Sequence, residues 1–184
     1  IVDNGNATTY ALVQDDVGAV ITVAVSYTDG EGTPESFTSV ATGTVVNIND
    51  SPVISITGTA TEDQTLTAVV ADEDGITGDI SYVWYRGTSE NGPYNAIGNA
   101  TSSTYTLVQD DVGSFIQVSV SYTDDQGTLE THDNITPTSA VANVNDDPVV
   151  SIFGTATEGE TLTAANTLAD EDGLGTVSYQ WQRG

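Results

Sequence analysis

Apolar and polar residues alternate along much of the chain, which predicts β-strands. Apolar side chains recur at every second position of residues 116–122, and the same spacing returns in residues 21–27. Because successive side chains of a strand point to opposite faces, each segment predicts a strand with one buried face. These faces consist of Ile116, Val118, Val120 and Tyr122, and of Ile21, Val23, Val25 and Tyr27. No stretch has a convincing helical period, so the predicted fold class is all-β.

The same patterns predict about seven short strands per 96 residues. Five lie near residues 53–58, 65–70, 80–85, 104–108 and 115–122, the last ends near residue 141, and the pattern is least distinct over residues 86–100. Turn sequences such as Asp74-Gly75 separate them. Short strands with a single Trp in the third strand are typical of an immunoglobulin-like Greek-key β-sandwich. Trp84 and its copy Trp181 are therefore expected in the core.

The chain repeats itself with a period of about 96 residues. Residues 8–29 match residues 103–124 at 16 of 22 positions, and residues 47–66 match residues 143–162 at 14 of 20. Such self-similarity is the signature of tandem repeats. We therefore predict tandem immunoglobulin-like sandwiches rather than one large domain.

Two prolines that follow polar segments mark the predicted domain boundaries. Few contacts are expected to cross the chain just before Pro52 and Pro148. Residues 51–146 then form one complete repeat, residues 1–50 the C-terminal half of a repeat and residues 147–184 the N-terminal half.

Half of a sandwich cannot bury its inner face alone, so each partial repeat is expected to need a complement. The plainest explanation is that the chain is an excerpt from a longer array. Alternatively, residues 147–184 pair with residues 1–50, within one chain or between neighbouring molecules. Pairing between molecules would be heterologous and would build a fibre.

Acidic residues outnumber basic ones so strongly that they limit the classes of partner. The chain has 27 Asp and Glu against 2 Lys and Arg, and its formal net charge is −25. Nucleic acid and anionic membranes are therefore poor partners, whereas divalent cations would offset the self-repulsion. No apolar run approaches the length of a membrane span, so membrane insertion is not expected. The composition suits an extracellular or cell-surface protein.

Several segments together resemble the tandem immunoglobulin-like and cadherin-like repeats of giant bacterial surface adhesins and related extracellular proteins. They read GTATEGETLTA, ADEDGLGTVSYQWQRG, STYTLVQDDVG and VSVSYTDDQGT, and the resemblance covers essentially the whole chain. It implies domains strung like beads, which extend a binding tip from the cell or form matrix material. Many members bind calcium between domains. The resemblance identifies no ligand.

Oxygen-rich residues at the repeat junctions are the candidate metal ligands. The linkers N-I-N-D-S-P and N-V-N-D-D-P are similar to the D-x-N-D-N linker through which cadherin repeats hold calcium, with Asn for the first Asp. In the predicted topology, the loops between the second and third strands and between the last two strands lie at the linker end. Calcium takes six to eight oxygen ligands. The predicted ligands are Asn49, Asp50, Asp72, Asp74, Asp124, Asp125, Asn145, Asp146, Asp147, Asp170 and Asp172.

Acidic residues also have a purely structural explanation, because Asp and Asn favour turns and keep a surface soluble. Residues 14–18 and their copy 109–113 are expected to form a tight corner between two strands, with their Asp pairs facing the junction. Glu62 and Glu158, between the first and second predicted strands, resemble the glutamate that cadherins contribute to calcium. They are expected to be exposed turn residues instead.

Catalysis is not expected. His132 is the only histidine, and one histidine supplies neither a zinc cage nor a catalytic triad. The predicted function is a non-enzymatic spacer of an extracellular adhesin or surface fibre, stiffened by calcium between neighbouring repeats. The alternative is a subunit of an extracellular filament, assembled head-to-tail from complementary partial repeats of other copies.

Calcium binding is tested by thermal unfolding of residues 51–184 in millimolar calcium, in magnesium at equal ionic strength, and in chelator. Specific sites predict a midpoint that rises selectively with calcium. The rise should be lost in Asp146→Ala plus Asp172→Ala, because two carboxylate ligands are removed. Equal midpoints in calcium and magnesium would mean that the ions only screen charge.

Overall fold

The computed structural model describes residues 7–134, 136–147, 150–164, 170 and 172–184. Nearly all of the regular structure within these ranges is β-strand, which confirms the all-β fold class. No helix in the described part of the chain is long and apolar enough to cross a membrane. The predicted boundary at Pro148 and the acidic residue Glu171 lie outside the described residues.

The chain divides into two compact units. One comprises residues 1–53, 70–80 and 121–132, and the other comprises residues 54–69, 81–120 and 133–184. The first unit therefore joins the N-terminal partial repeat to two loop regions of the central repeat. The predicted repeat boundaries stay predictions.

The described strands form four sheets. They are β1 (Ala24–Thr28), β2 (Pro34–Thr38), β3 (Val53–Thr57), β4 (Thr65–Ala71), β5 (Ser81–Gly87), β6 (Tyr94–Ala96), β7 (Thr104–Thr106), β8 (Phe115–Thr123), β9 (Leu129–Asp133), β10 (Ile152–Phe153) and β11 (Thr163–Ala164). β1 pairs with β2, and β10 with β11. The central repeat has one sheet of order β3-β4-β7 and one of order β6-β5-β8-β9. This division of strands is that of an immunoglobulin-like sandwich.

The central repeat buries the face that alternation predicted for β8. Ile116, Val118 and Val120 are almost fully buried, and Trp84 is 0% exposed, as expected. The Trp84 ring lies 5.8 Å from the Tyr105 ring, centroid to centroid. The other buried apolar residues are Leu66, Ala68, Ala100, Leu107, Tyr122 and Val141. Without disulfides, burial of these side chains supplies the main stabilisation, at about 1.5–3 kcal/mol for each large one.

A 3-10 turn at Gln109–Asp111 forms the corner before β8. The Asp111 carboxylate is 0% exposed, and its Oδ2 accepts the Tyr105 hydroxyl (2.8 Å) and the Val108 amide (2.9 Å). Arg86 Nε donates to its Oδ1 at 2.6 Å. Burial and the bond to Asp111 raise the pKa of Tyr105 to about 12, so its hydroxyl stays a donor. Because a buried carboxylate is costly without such donors, Arg86 fixes β5 to the corner.

The same corner forms in the N-terminal partial repeat, with a 3-10 turn at Gln14–Asp16. Asp16 is buried, and its Oδ2 accepts the Tyr10 hydroxyl (2.8 Å) and the Val13 amide (2.9 Å). The two copies therefore fold alike here, which confirms the predicted corners.

Burial in the partial repeats differs from the prediction. Val23, Val25 and Tyr27 are all more than half exposed, and Trp181 is 53% exposed. In the central repeat the equivalent residues lie inside a sandwich that contains strands from both halves of the repeat. The alternating pattern identifies an inner face correctly, but burial of that face requires the strands of the other half.

Candidate functional site

The loop between β4 and β5 is held in a tight turn by Asp72. Its Oδ1 accepts the Asp74 amide (2.9 Å), and its carbonyl oxygen accepts the Gly75 amide (3.2 Å). Gly75 has a φ of +89°, which L side chains rarely adopt. In this turn Asp74 is buried, with 2% of its surface exposed.

The loop between β8 and β9 binds the same turn through Asp125. The Asp125 amide donates to the Gly75 carbonyl (3.2 Å), and its Oδ1 accepts the amide (3.0 Å) and hydroxyl (2.6 Å) of Thr77. A Cβ added to Gly75 would lie 2.5 Å from Asp125 Oδ2. The two loops therefore lie together, as the topology predicted.

Both carboxylate oxygens of Asp74 accept N–H donors from the preceding repeat and linker. The Asp50 amide donates to Oδ2 at 2.7 Å, and Gln14 Nε2 donates to Oδ1 at 2.9 Å. Gln14 Nε2 also lies 3.3 Å from Asn47 Oδ1. Asp15, which was expected to face the junction, is exposed, and Asp16 caps its own turn. Gln14 is thus the corner residue that reaches the loop.

Glu130 at the start of β9 is a second buried acceptor for the linker, with 3% of its surface exposed. Its Oε1 accepts Asn49 Nδ2 at 2.8 Å, and its Oε2 contacts His132 Nε2. We call Gln14, Asn49, Asp50, Asp74 and Glu130 the junction lock. These residues connect the linker and the corner to two loops of the central repeat.

The Tyr122 hydroxyl donates to Asp72 Oδ2 and so adds a further hydrogen bond to the loop that carries Asp74. Burial raises the pKa of Tyr122, and the bond to Asp72 raises it further, as do the charges of Glu130 and Asp124. Tyr122 therefore stays protonated at neutral pH and remains a donor.

Asp124 closes the loop between β8 and β9 from within. Its Oδ1 accepts the amides of Gln126 (2.9 Å) and Thr128 (2.7 Å), and its copy Asp29 makes the same kind of turn. Asp124 is 5% exposed, and its Oδ2 has no hydrogen-bond partner among the described residues.

The second linker repeats part of this arrangement. The Asp146 amide donates to Asp172 Oδ2 (3.2 Å), and the Asp172 amide donates to Asp170 Oδ1 (3.1 Å). Partial loss of hydration raises the pKa of Asp146, and the charges of Asp172, Asp63, Asp170 and Asp147 raise it further. At both linkers, therefore, a backbone amide of the linker donates to a carboxylate of the acidic loop that follows.

Glu62 holds the start of the second linker. It is 2% exposed, so the expectation of an exposed turn residue is wrong for Glu62, although Glu158 is exposed. Its Oε2 accepts the Val144 amide at 3.1 Å. The side-chain amide of Gln109, the copy of Gln14, faces both Glu62 oxygens, and with its NH₂ group assigned to that side it donates to them at 2.6 and 3.0 Å. Burial of Glu62 follows from these two donors.

The predicted calcium ligands lie at the two linkers and in the loops that contact them. Among the residues that the structure describes, no three Asp, Glu, His or Cys side chains are placed to hold a metal ion. Asp74 uses both oxygens for N–H donors, Asn145 donates to the Asp146 carbonyl (3.3 Å), and Asp147 is exposed. The oxygen-rich chemistry of these segments suits calcium. Calcium binding stays a prediction.

Gln14 and Glu130 are the lock residues that the sequence analysis missed. Both have a copy at an offset of 95, namely Gln109 and Glu35. Recurrence of a polar residue between copies was therefore the available signal. Whether such a residue reaches across a junction depends on tertiary contacts, and alternation and turn patterns do not report those contacts.

Comparison with known proteins supports the fold of the central repeat. A family model described as the AIR9 A9 domain, an immunoglobulin-like domain, matches residues 51–123. No curated protein matches the chain. The central repeat is thus an immunoglobulin-like domain, a class that is typically structural and non-enzymatic.

Asp74→Asn should loosen the junction, because one of two N–H donors would then face an amide NH₂ group. Hydrogen bonds to a buried carboxylate are worth about 1.5–3 kcal/mol each, so linker opening should rise by about tenfold or more. Proteinase K cleavage between residues 47 and 52, followed by mass spectrometry, measures that opening. Glu73→Gln removes an exposed charge from the same loop and should leave the cleavage rate unchanged. Equal rates in both variants would contradict the lock.

Proposed function

We propose that the chain is a stretch of structural spacer repeats from an extracellular protein, and that the junction lock stiffens the connection between repeats. The observation that carries this proposal is the pair of donors on Asp74. Gln14 comes from the corner of one repeat and Asp50 from the linker, and both end on a loop of the next repeat. A spacer needs such a fixed connection more than it needs a binding cleft.

The energetics of buried charge explain why the lock resists bending. If the linker moved away, Asp74 and Glu130 would be left as buried carboxylates without these donors. Losing a hydrogen bond to a charged group costs about 1.5–3 kcal/mol. Rotations large enough to break these bonds are therefore opposed by several times the thermal energy.

Recurrence along the chain supports a function of the array rather than of one domain. The Asp146 amide and Asp172 repeat the bond between Asp50 and Asp74. In an array of like units, stability is a sum of repeat terms and nearest-neighbour terms. Each additional repeat then extends the spacer with the same local connection.

The acidic surface fits an extracellular setting. A formal charge of −25 keeps such an array soluble and repels anionic surfaces. It also leaves calcium as a further partner. The Asp74 oxygens already accept N–H donors, so a calcium ion would compete with the lock there, whereas Asp124 Oδ2 lacks a described donor.

Spin-label distances across the junction test the spacer proposal. The chain has no cysteine, so Thr22→Cys plus Asp79→Cys gives two defined labels at exposed positions. Dilution with unlabelled chain removes distances between molecules. We expect a narrow distribution of the distance between the two labels in chelator. The distribution should be distinctly broader in a labelled chain that also carries Asp74→Asn.

Three outcomes are distinguishable. A distribution that is narrow in chelator and broad in the variant supports the hydrogen-bonded lock. A distribution that is narrow only with calcium would replace the lock by a metal-dependent junction. A distribution that is broad in both conditions would contradict a rigid spacer.

A further inference from the structure

The loop between β6 and β7 carries an Asn-x-Thr triplet that neither the fold nor the junction lock explains. Residues 99–101 read Asn-Ala-Thr, which is the acceptor pattern for N-linked glycans. The same three residue types recur as residues 6–8, of which Asn6 lies outside the described residues. Because a three-residue pattern also arises by chance, the place of each triplet in the fold decides whether it can be modified.

Asn99 lies in an exposed turn of this loop. Its φ of +62° is in the left-handed region, which Asn adopts more readily than most residues. The next residue fixes the turn to the core, because the Ala100 amide donates to the Ile97 carbonyl (3.3 Å) and the Ala100 carbonyl accepts the Trp84 amide (3.1 Å). The Asn99 side chain is exposed and makes no hydrogen bond with a described residue, so an enzyme can reach its amide nitrogen.

Thr101 is the residue of the triplet for which the fold supplies no other role. It is exposed, and its hydroxyl makes no hydrogen bond with a described residue. Its amide donates to the Asn99 carbonyl at 3.1 Å, so the two residues belong to one bend of the chain. The left-handed turn accounts for an Asn at position 99, but it does not account for a Thr two residues later. Addition of an N-linked glycan requires both side chains.

A third Asn-x-Thr triplet, which begins at Asn134, shows what an unsuitable site looks like. Asn134 is 1% exposed, its Oδ1 accepts the Val118 amide at 2.9 Å, and its Nδ2 donates to the Thr136 carbonyl. The folded repeat therefore has no room for a sugar on that nitrogen. Among the described triplets, the fold selects Asn99 as the acceptor and excludes Asn134.

We propose that Asn99 carries an N-linked glycan. In the modification, Asn99 Nδ2 forms a bond to the anomeric carbon of a sugar that is supplied as a glycosyl diphosphate. The bond between that carbon and the diphosphate oxygen breaks, the diphosphate leaves with the electron pair, and Nδ2 loses one proton. A glycan adds bulk and solubility to the loop without adding charge. The inference rests on the extracellular setting of the proposed function, but not on the junction lock.

Peptide mapping of the protein isolated from the cells that make it tests the site. Glu-C protease in phosphate buffer cleaves after Glu90 and Asp110 and releases residues 91–110, in which Asn99 begins the only Asn-x-Ser/Thr triplet. We expect this peptide to carry additional sugar mass, and electron-transfer fragmentation should place that mass on Asn99. Thr101→Ala should abolish the modification, because it removes the required hydroxyl. Thr101→Ser keeps a hydroxyl at the same exposed position and should retain the sugar.

Sugar on Asn99 that is lost in Thr101→Ala and kept in Thr101→Ser supports the proposal, and any other pattern overturns it. An unmodified peptide would show that Asn99 serves the turn alone. Sugar mass on a Ser or Thr of the peptide would mean a different, O-linked modification. A failure here is separate from a failure of the spacer, because the spin-label distances report on Asp74 and do not involve Asn99.

Discussion

Asp74 keeps a negative charge almost entirely out of water, and the donors that satisfy it come from a linker and a corner that precede it by many residues. Neither basic residue of the chain is among its hydrogen-bond donors. Backbone and amide N–H groups therefore replace the water that a carboxylate would otherwise bind. Since those donors are fixed to the backbone or to a short turn, the position of the charge also fixes the direction of the chain. The rest of the junction follows from that constraint.

The buried carboxylates of this protein differ in the groups that donate hydrogen bonds to them. Asp111 is satisfied by an arginine, a tyrosine and an amide, and Asp74 by an amide and a glutamine. Asp124 has hydrogen-bond donors from the described residues at one oxygen only. A composition this acidic therefore does not by itself imply metal binding, because N–H donors can take the place of cations.

The sequence predicted the repeated fold well because its signals are local. The period of two placed Val118 and Val120 inward, and the position of Trp84 in the third strand placed it in the core. The contacts at the junction were harder to predict from the sequence. Glu62 and Glu130 look like surface residues in sequence, and they are buried only because distant amides reach them. The exposure of Val23 and Trp181 was missed for a related reason, since burial depends on strands that a local pattern does not contain.

Hydrogen exchange of the Asp50 amide measures the central bond of the lock directly. In the unsubstituted chain, NMR should show this amide exchanging at least about tenfold more slowly than in Asp74→Ala, which removes both acceptor oxygens, because Asp74 Oδ2 accepts it at 2.7 Å. Exchange in chelator should be equally slow. An Asp50 amide that exchanges as fast in the intact chain as in the variant would show that Asp74 does not hold the linker, and the junction would have no lock.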